Sequence, residues 1–133
     1  MRGWSRIGCL AGFAALLALP AWARGDDVVV ATDAGGQSHL ADGKGFTLYT
    51  FTKDTAGTSA CTGPCESKWP PFQQKGVSPG PGLDPKSFGS IDRPGGGQQT
   101  TYRGMPLYRY SGDKAPGDTK GQGIGNAWYV AKP

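Results

Sequence analysis

The sequence predicts an all-β chain: a small antiparallel sheet domain of two tandem pseudo-symmetric repeats, turn-rich and carrying one disulfide. Three observations lead there. A ten-residue stretch, Gly45 to Asp54, returns as Gly104 to Asp113 with Gly, Leu, Tyr and Asp at the same places. Aromatic residues alternate with others at period two and are punctuated by 23 glycines and 11 prolines in 133 residues. Cys61 and Cys65 form a close pair around the turn-prone Thr62-Gly63-Pro64.

The repeat extends beyond its core. Adding 59 to the number takes Asp33 to Asp92, Gly36 to Gly95, Ala56 to Ala115 and Trp69 to Trp128 without a gap. Chance aligns glycines in so Gly-rich a chain, but not Trp69 and Trp128 in register with two Leu-Tyr pairs. The chain reads as one supersecondary unit used twice.

Taken in order, Met1 to Ala23 has the form of a secretory leader. Arg2 and Arg6 make its positive start, Ile7 to Leu19 its apolar run, and Ala21-Trp22-Ala23 supplies small residues for cleavage after Ala23. A run of about 13 residues falls short of the roughly 20 that span a bilayer, so no stable membrane span is expected after leader removal. Cys9 precedes most of the apolar run and is poorly placed for lipid attachment. The expected address is periplasmic or secreted. The mature part, 24–133, is expected as a single β domain with repeat one over about 28–72, a linker over about 73–86 and repeat two over about 87–131. The formal charge of +4 drops to +2 without Arg2 and Arg6, too small and too scattered for a nucleic-acid partner.

In the first repeat, Val28 to Ala31 and Gln37 to Ala41 read as strands around the turn at Thr32 to Gly36. Asp42-Gly43 then turns the chain into a strand from Phe46 to Thr52. The second repeat follows the same plan with Phe88 to Ile91, Gln98 to Tyr102 and Met105 to Tyr110. Each repeat ends in its tryptophan segment, Trp69 to Phe72 and Trp128 to Val130. Gln73 to Lys86, rich in Pro and Gly, reads as a linker or long surface loop. Helix is expected only as a turn near Cys65 to Lys68.

Alternate strand residues share a face. Phe46 and Leu48 then lie opposite Tyr49 and Phe51, as Met105 and Leu107 lie opposite Tyr108 and Tyr110. One face must be core. The aromatic face is either a second layer packed against Trp69 and Trp128 or an exposed platform.

In an oxidising compartment Cys61 and Cys65 read as a disulfide, worth about 2 kcal/mol for so short a loop. A copper site using Cys-x-x-x-Cys with the lone His39 is the alternative, as part of a metal- or redox-handling role. Asp54 and Asp113 follow the two aromatic strands. They read as structural, each carboxylate accepting from backbone N–H groups two or three residues on. Brought together by a pseudo-twofold, they could instead serve a carboxylate-dependent hydrolase. Asp113 and Asp118 in the loop to Gly123 suggest a solvated turn more than a calcium site. No catalytic residue, metal or cofactor is assigned. The expected role is a non-catalytic binding module for an envelope protein or a glycan.

Leu48, Tyr49, Phe51 and Asp54, with Leu107, Tyr108, Tyr110 and Asp113, resemble the Tyr-x-(Phe/Trp/Tyr)-x-x-Asp motif of a family of predicted bacterial lipoproteins, also described as a secreted repeat of unknown function. Ser59 to Cys65 before Trp69-Pro70-Pro71, and Pro116-Gly117-Asp118 before Trp128, are similar to it too. The resemblance covers nearly all of the mature chain. It implies an exported bacterial protein with a repeated β unit, and it carries no established chemistry.

Overall fold

The computed structural model describes residues 25–133; the expected leader, its cleavage site and Cys9 lie outside them. Two hairpins head the two repeats. β1 (Val28–Thr32) pairs antiparallel with β2 (Ser38–Asp42), Val28 opposite Asp42. β4 (Phe88–Asp92) pairs likewise with β5 (Gln98–Tyr102), Phe88 opposite Tyr102. The first hairpin is closed by an Asx turn: Asp33 Oδ1 accepts from the N–H groups of Gly35 and Gln37, both at 2.9 Å. The second uses Gly95, Gly96 and Gly97, all at positive φ, where a side chain would be strained.

These registers correct the gapless offset. Asp33 N–H bonds Gln37 C=O as Arg93 N–H bonds Gly97 C=O, so Asp33 corresponds to Arg93, at an offset of 60. Asp92 and Gly95 are therefore one place away from the true counterparts of Asp33 and Gly36. The missing residue is in the next turn. In repeat one, Asp42 Oδ1 caps the N–H groups of Lys44 and Phe46 across a wide loop. In repeat two, Arg103 and Gly104 turn the chain at φ 51° and 83°, a tight two-residue hairpin turn. From Gly45 and Gly104 onward the offset of 59 holds.

The strands expected over Phe46 to Thr52 and Met105 to Tyr110 are shorter: β3 is Tyr49–Phe51 and β6 is Met105–Pro106. The cause is a change of partner in mid-strand. Leu48 N–H bonds Leu40 C=O in its own repeat, but Tyr49 N–H bonds Tyr108 C=O in the other. Leu107 and Tyr108 do the same, to Thr100 and Tyr49.

This switch interleaves the repeats. β3 pairs with β7 (Trp128–Val130), from the end of repeat two. Reciprocally, Arg109 and Ser111 donate to the carbonyls of Pro70 and Lys68, at 2.8 Å each. Leu40 N–H reaches Ala131 C=O at 2.8 Å, and Thr100 N–H reaches Phe72 C=O at 2.9 Å. Each tryptophan segment completes the sheet of the other repeat, so neither unit is closed by itself.

Both faces of the motif strands are buried. Leu48 and Leu107 join Val28, Leu40, Phe72 and Tyr102 in one apolar cluster. Tyr49, Phe51 and Tyr108 join Trp69, Trp128 and Val130 in a second. The stretch read as a linker or long surface loop lies as a strap along the first hairpin. Val77 and Leu83 pack on the first cluster, and Pro79 forms a parallel bridge to Val28. Gly80 N–H donates to Val28 C=O and Asp27 N–H to Ser78 C=O, both at 2.8 Å. Among the described residues helix is confined to the single turn α1 (Cys65–Lys68) and two 3-10 turns, Pro85–Ser87 and Ile124–Asn126.

Candidate functional site

The aromatic face is a column of rings, not a platform. Phe51 stacks on Trp128 at 4.1 Å, Trp128 on Trp69 at 3.9 Å with planes 2° apart, and Trp69 lies 4.4 Å from Tyr110. The rings alternate between repeats, which the interleaved sheets require. Tyr49 meets Trp69 edge-on at 5.3 Å, and Tyr108 meets Trp128 edge-on at 5.0 Å. Such pairs add about 0.5–1.5 kcal/mol each beyond the area they bury.

The tyrosine hydroxyls cross between repeats. Tyr49 donates to Asp113 Oδ2 and Tyr108 to Asp54 Oδ2, both at 2.7 Å. The remaining oxygens take backbone donors: Ala60 N–H reaches Asp54 Oδ1 at 2.6 Å, and Lys120 N–H reaches Asp113 Oδ1 at 2.9 Å. Those donors lie six and seven residues on, so the expected local Asx turn is replaced by a long-range clasp. Burial first, then the neighbouring carboxylate, pushes the Tyr49 hydroxyl well above its ordinary pKa. Burial pushes Tyr108 up to about 12. Burial also raises Asp54, against the lowering effect of the Ala60 N–H and the Tyr108 hydroxyl. Both phenols therefore stay protonated donors at neutral pH. Each aspartate is held by a different tyrosine, and the arrangement offers no shared proton between two acids.

Around Tyr108 the second repeat adds a buried cation. The Arg93 side chain is 2% exposed. Its Nη1 donates to Ser59 Oγ at 3.0 Å and Gln99 Oε1 at 2.5 Å. Its Nη2 donates to Cys61 C=O at 2.8 Å and faces Glu66 Oε2 at 3.1 Å. Ser59 Oγ lies 2.6 Å from the Tyr108 hydroxyl, and Gln99 Nε2 donates to Leu107 C=O. Arg93 thus ties the Cys61–Cys65 loop to the centre of the fold. Sequence reading passed over it because the offset matched Asp33 to Asp92. Its signal was there: an arginine where the other repeat has a turn aspartate.

In the other half the counterpart of Gln99 is His39, which is 1% exposed. Thr47 Oγ donates to Asp118 C=O at 2.6 Å and lies 3.3 Å from His39 Nε2. With the Thr47 proton already given, Nε2 is the donor and carries the imidazole proton. Nδ1 then has no well-aligned partner among the described residues. Burial lowers the His39 pKa, with a partial offset from the Gln37 backbone.

Cys61 and Cys65 are bridged, with Cα atoms 5.3 Å apart. Both sulfurs are thus in the bond, and no cluster of three or more His, Cys, Asp or Glu gathers among the described residues. In the loop read as a solvated turn more than a calcium site, Asp118 Oδ2 accepts from Lys114 and Ala115 N–H, and Asp113 is taken by Tyr49 and Lys120.

A groove of about 490 Å³ lies open on the second hairpin, lined by Gln73, Gln74, Phe88, Ser90, Gln98 and Thr100, among others. Gln73 Nε2 donates to Gln98 C=O across it at 2.8 Å. A smaller cleft of about 240 Å³ surrounds Arg109, which pairs with buried Asp42 and lies 5.6 Å over Phe72. The sequence reading did not single out these glutamines.

A family model described as a secreted repeat of unknown function matches residues 29–73 and 89–132. The matched segments start 60 residues apart and end 59 apart, the same one-residue deletion that the strand registers show. No curated protein and no solved structure matches the chain. With two matches spanning most of its length and meeting in one interleaved fold, the chain belongs to the family of secreted repeats of unknown function.

Proposed function

We propose that this protein is an exported, non-catalytic binding module of the bacterial periplasm or cell envelope, docking a glycan or an envelope protein at its glutamine-lined groove. One contrast carries the reading. The side chains capable of chemistry, the Tyr–Asp clasps, Arg93 and the cysteines, are bonded inward, whereas Gln73, Gln74, Ser90 and the Phe88 ring line an open groove, where Gln73 and Ser90 make only exposed bonds to Gln98. Amides and hydroxyls beside one ring suit a neutral, hydrogen-bonding ligand. Export is supported by the leader-like start and by the family's description. Among the described residues no helix is long and apolar enough to cross a membrane.

The test is a nuclear magnetic resonance titration of the isotope-labelled chain with peptidoglycan fragments, neutral oligosaccharides and extended peptides. Saturable shifts at Gln73, Gln74, Ser90 and Gln98 are the expected result. A groove silent to all three classes overturns the assignment.

A further inference from the structure

The two hairpins are equivalent, but among the described residues only the first has a segment laid on its outer edge, at Val28. In an antiparallel pair, alternate residues direct their N–H and C=O groups away from the partner strand. Gly43 N–H bonds Asp27 C=O and Asp33 N–H bonds Gln37 C=O, so Val28, Val30 and Thr32 face outward along the edge of β1, which begins at Val28. The strap meets it there, with Gly80 N–H donating to Val28 C=O and Pro79 bridged in parallel to Val28. In β4 the same pattern holds. Arg103 N–H bonds Ser87 C=O and Arg93 N–H bonds Gly97 C=O, so Phe88, Ser90 and Asp92 face outward. The Phe88 N–H is taken by Pro85 C=O. Among the described residues no segment pairs with this edge of β4, and Phe88, Gly89 and Ser90 line the groove instead.

We infer that the outer edge of β4 is a docking site for an extended peptide running parallel to the strand, of the kind the chain itself lays on β1. The inference rests on the groove being a binding surface and names its ligand. The occupant is specified by the twin site. Val77-Ser78-Pro79-Gly80 shows what fits beside such an edge: an uncharged segment of small residues, with a proline where no N–H is needed and a glycine where the backbone comes close. At Gly80 an added Cβ would stand 3.2 Å from both Asp26 Oδ2 and Val29 Cγ1, so the approach is tight. On β4 the Phe88 ring stands where Val28 stands on β1, giving a larger apolar contact. Ser90 offers the backbone donor and acceptor that prolong the pairing. Main-chain hydrogen bonds then supply affinity and Phe88 selects side chains, as in other cases of strand addition.

The probe is a free, end-capped peptide with the chain's own sequence from Gly76 to Pro81, titrated to millimolar concentration into the full exported chain. Saturable amide shifts at Phe88 to Asp92 and at Gln98 are expected. In Ser90→Pro, which removes an outward-facing N–H, those shifts should weaken at least tenfold. Ser90→Ala keeps the N–H and should bind as the parent does. Should Ser90→Pro fail to fold, the position of the parent's shifts decides alone. Shifts confined to Val28 would mean that the peptide merely displaces the strap, and would overturn the proposal. So would a concentration-dependent dimer with β4 at its interface, since a second copy would then hold the edge. If glycans shift the groove and the peptide does not, the binding reading stands and the peptide inference fails. If neither shifts it, both fall.

Discussion

Tyr49 and Tyr108 face each other across the junction of the repeats, exchanging backbone bonds of 2.8 and 2.9 Å, and each phenol reaches the aspartate that lies in the other's repeat. The two motif copies thus act on one another, each supplying a hydroxyl for the other's carboxylate.

Thermodynamic coupling should follow that crossing. Tyr49→Phe and Tyr108→Phe each leave a buried carboxylate short of a donor and should cost about 1–3 kcal/mol. Combined with Asp113→Asn, Tyr49→Phe should deviate from additivity by about 0.5–3 kcal/mol, and with Asp54→Asn it should add. Urea midpoints of the four variants and two double variants measure this. Coupling of Tyr49 to Asp54 in its own repeat would contradict the structure.

Alkaline pH should expose the same two residues. The Tyr49 and Tyr108 pKa values are raised in the fold, so their stabilising contribution is complete below the ordinary value of about 10 and is lost as pH rises through about 12 for Tyr108. Ultraviolet titration should show these two phenols ionising only together with unfolding.

His39 predicts the opposite sign in acid. Its folded pKa is lowered, so the unfolded chain binds the proton more readily, and stability should fall as pH drops below about 6.5. His39→Gln installs the residue of the other repeat and should flatten that slope. Asp54, with a raised pKa, works against it at lower pH, gaining stability as it protonates. Unfolding free energies at pH 7.5, 6.5 and 5.5 separate the two.

Arg93→Leu should be among the more damaging single changes, at about 3–5 kcal/mol, because Glu66, Gln99, Ser59 and the Cys61 carbonyl lose one shared donor. Arg93→Lys should rescue little, since one ammonium cannot reproduce the planar fork. Thermal midpoints with the disulfide intact provide the check.

Much of the architecture was legible. Period-two alternation placed Leu48 and Leu107 on one face and Tyr49, Phe51 and Tyr108 on the other, and both faces are core. Gln98–Tyr102 and the turn at Cys65–Lys68 have the bounds the residues suggested. Local signals failed where the other repeat decides. The break at Leu48 and Tyr49 comes from a partner some 59 residues away, and the aspartates bond tyrosines no nearby pattern could name. Arg93 was hidden by a single deletion in a turn, which shifted the alignment by one.

The interleaving also bears on how such chains can grow and be cut. A protease that opened the strap between Gln73 and Lys86 would leave two fragments, each holding a strand of the other's sheet, and the particle should survive the nick. Copy number is constrained as well. A third repeat added in tandem would bring a tryptophan segment with no sheet to complete and a sheet with no segment to close it. Duplication of this unit is therefore useful in pairs, and a substitution in one copy is answered in its twin.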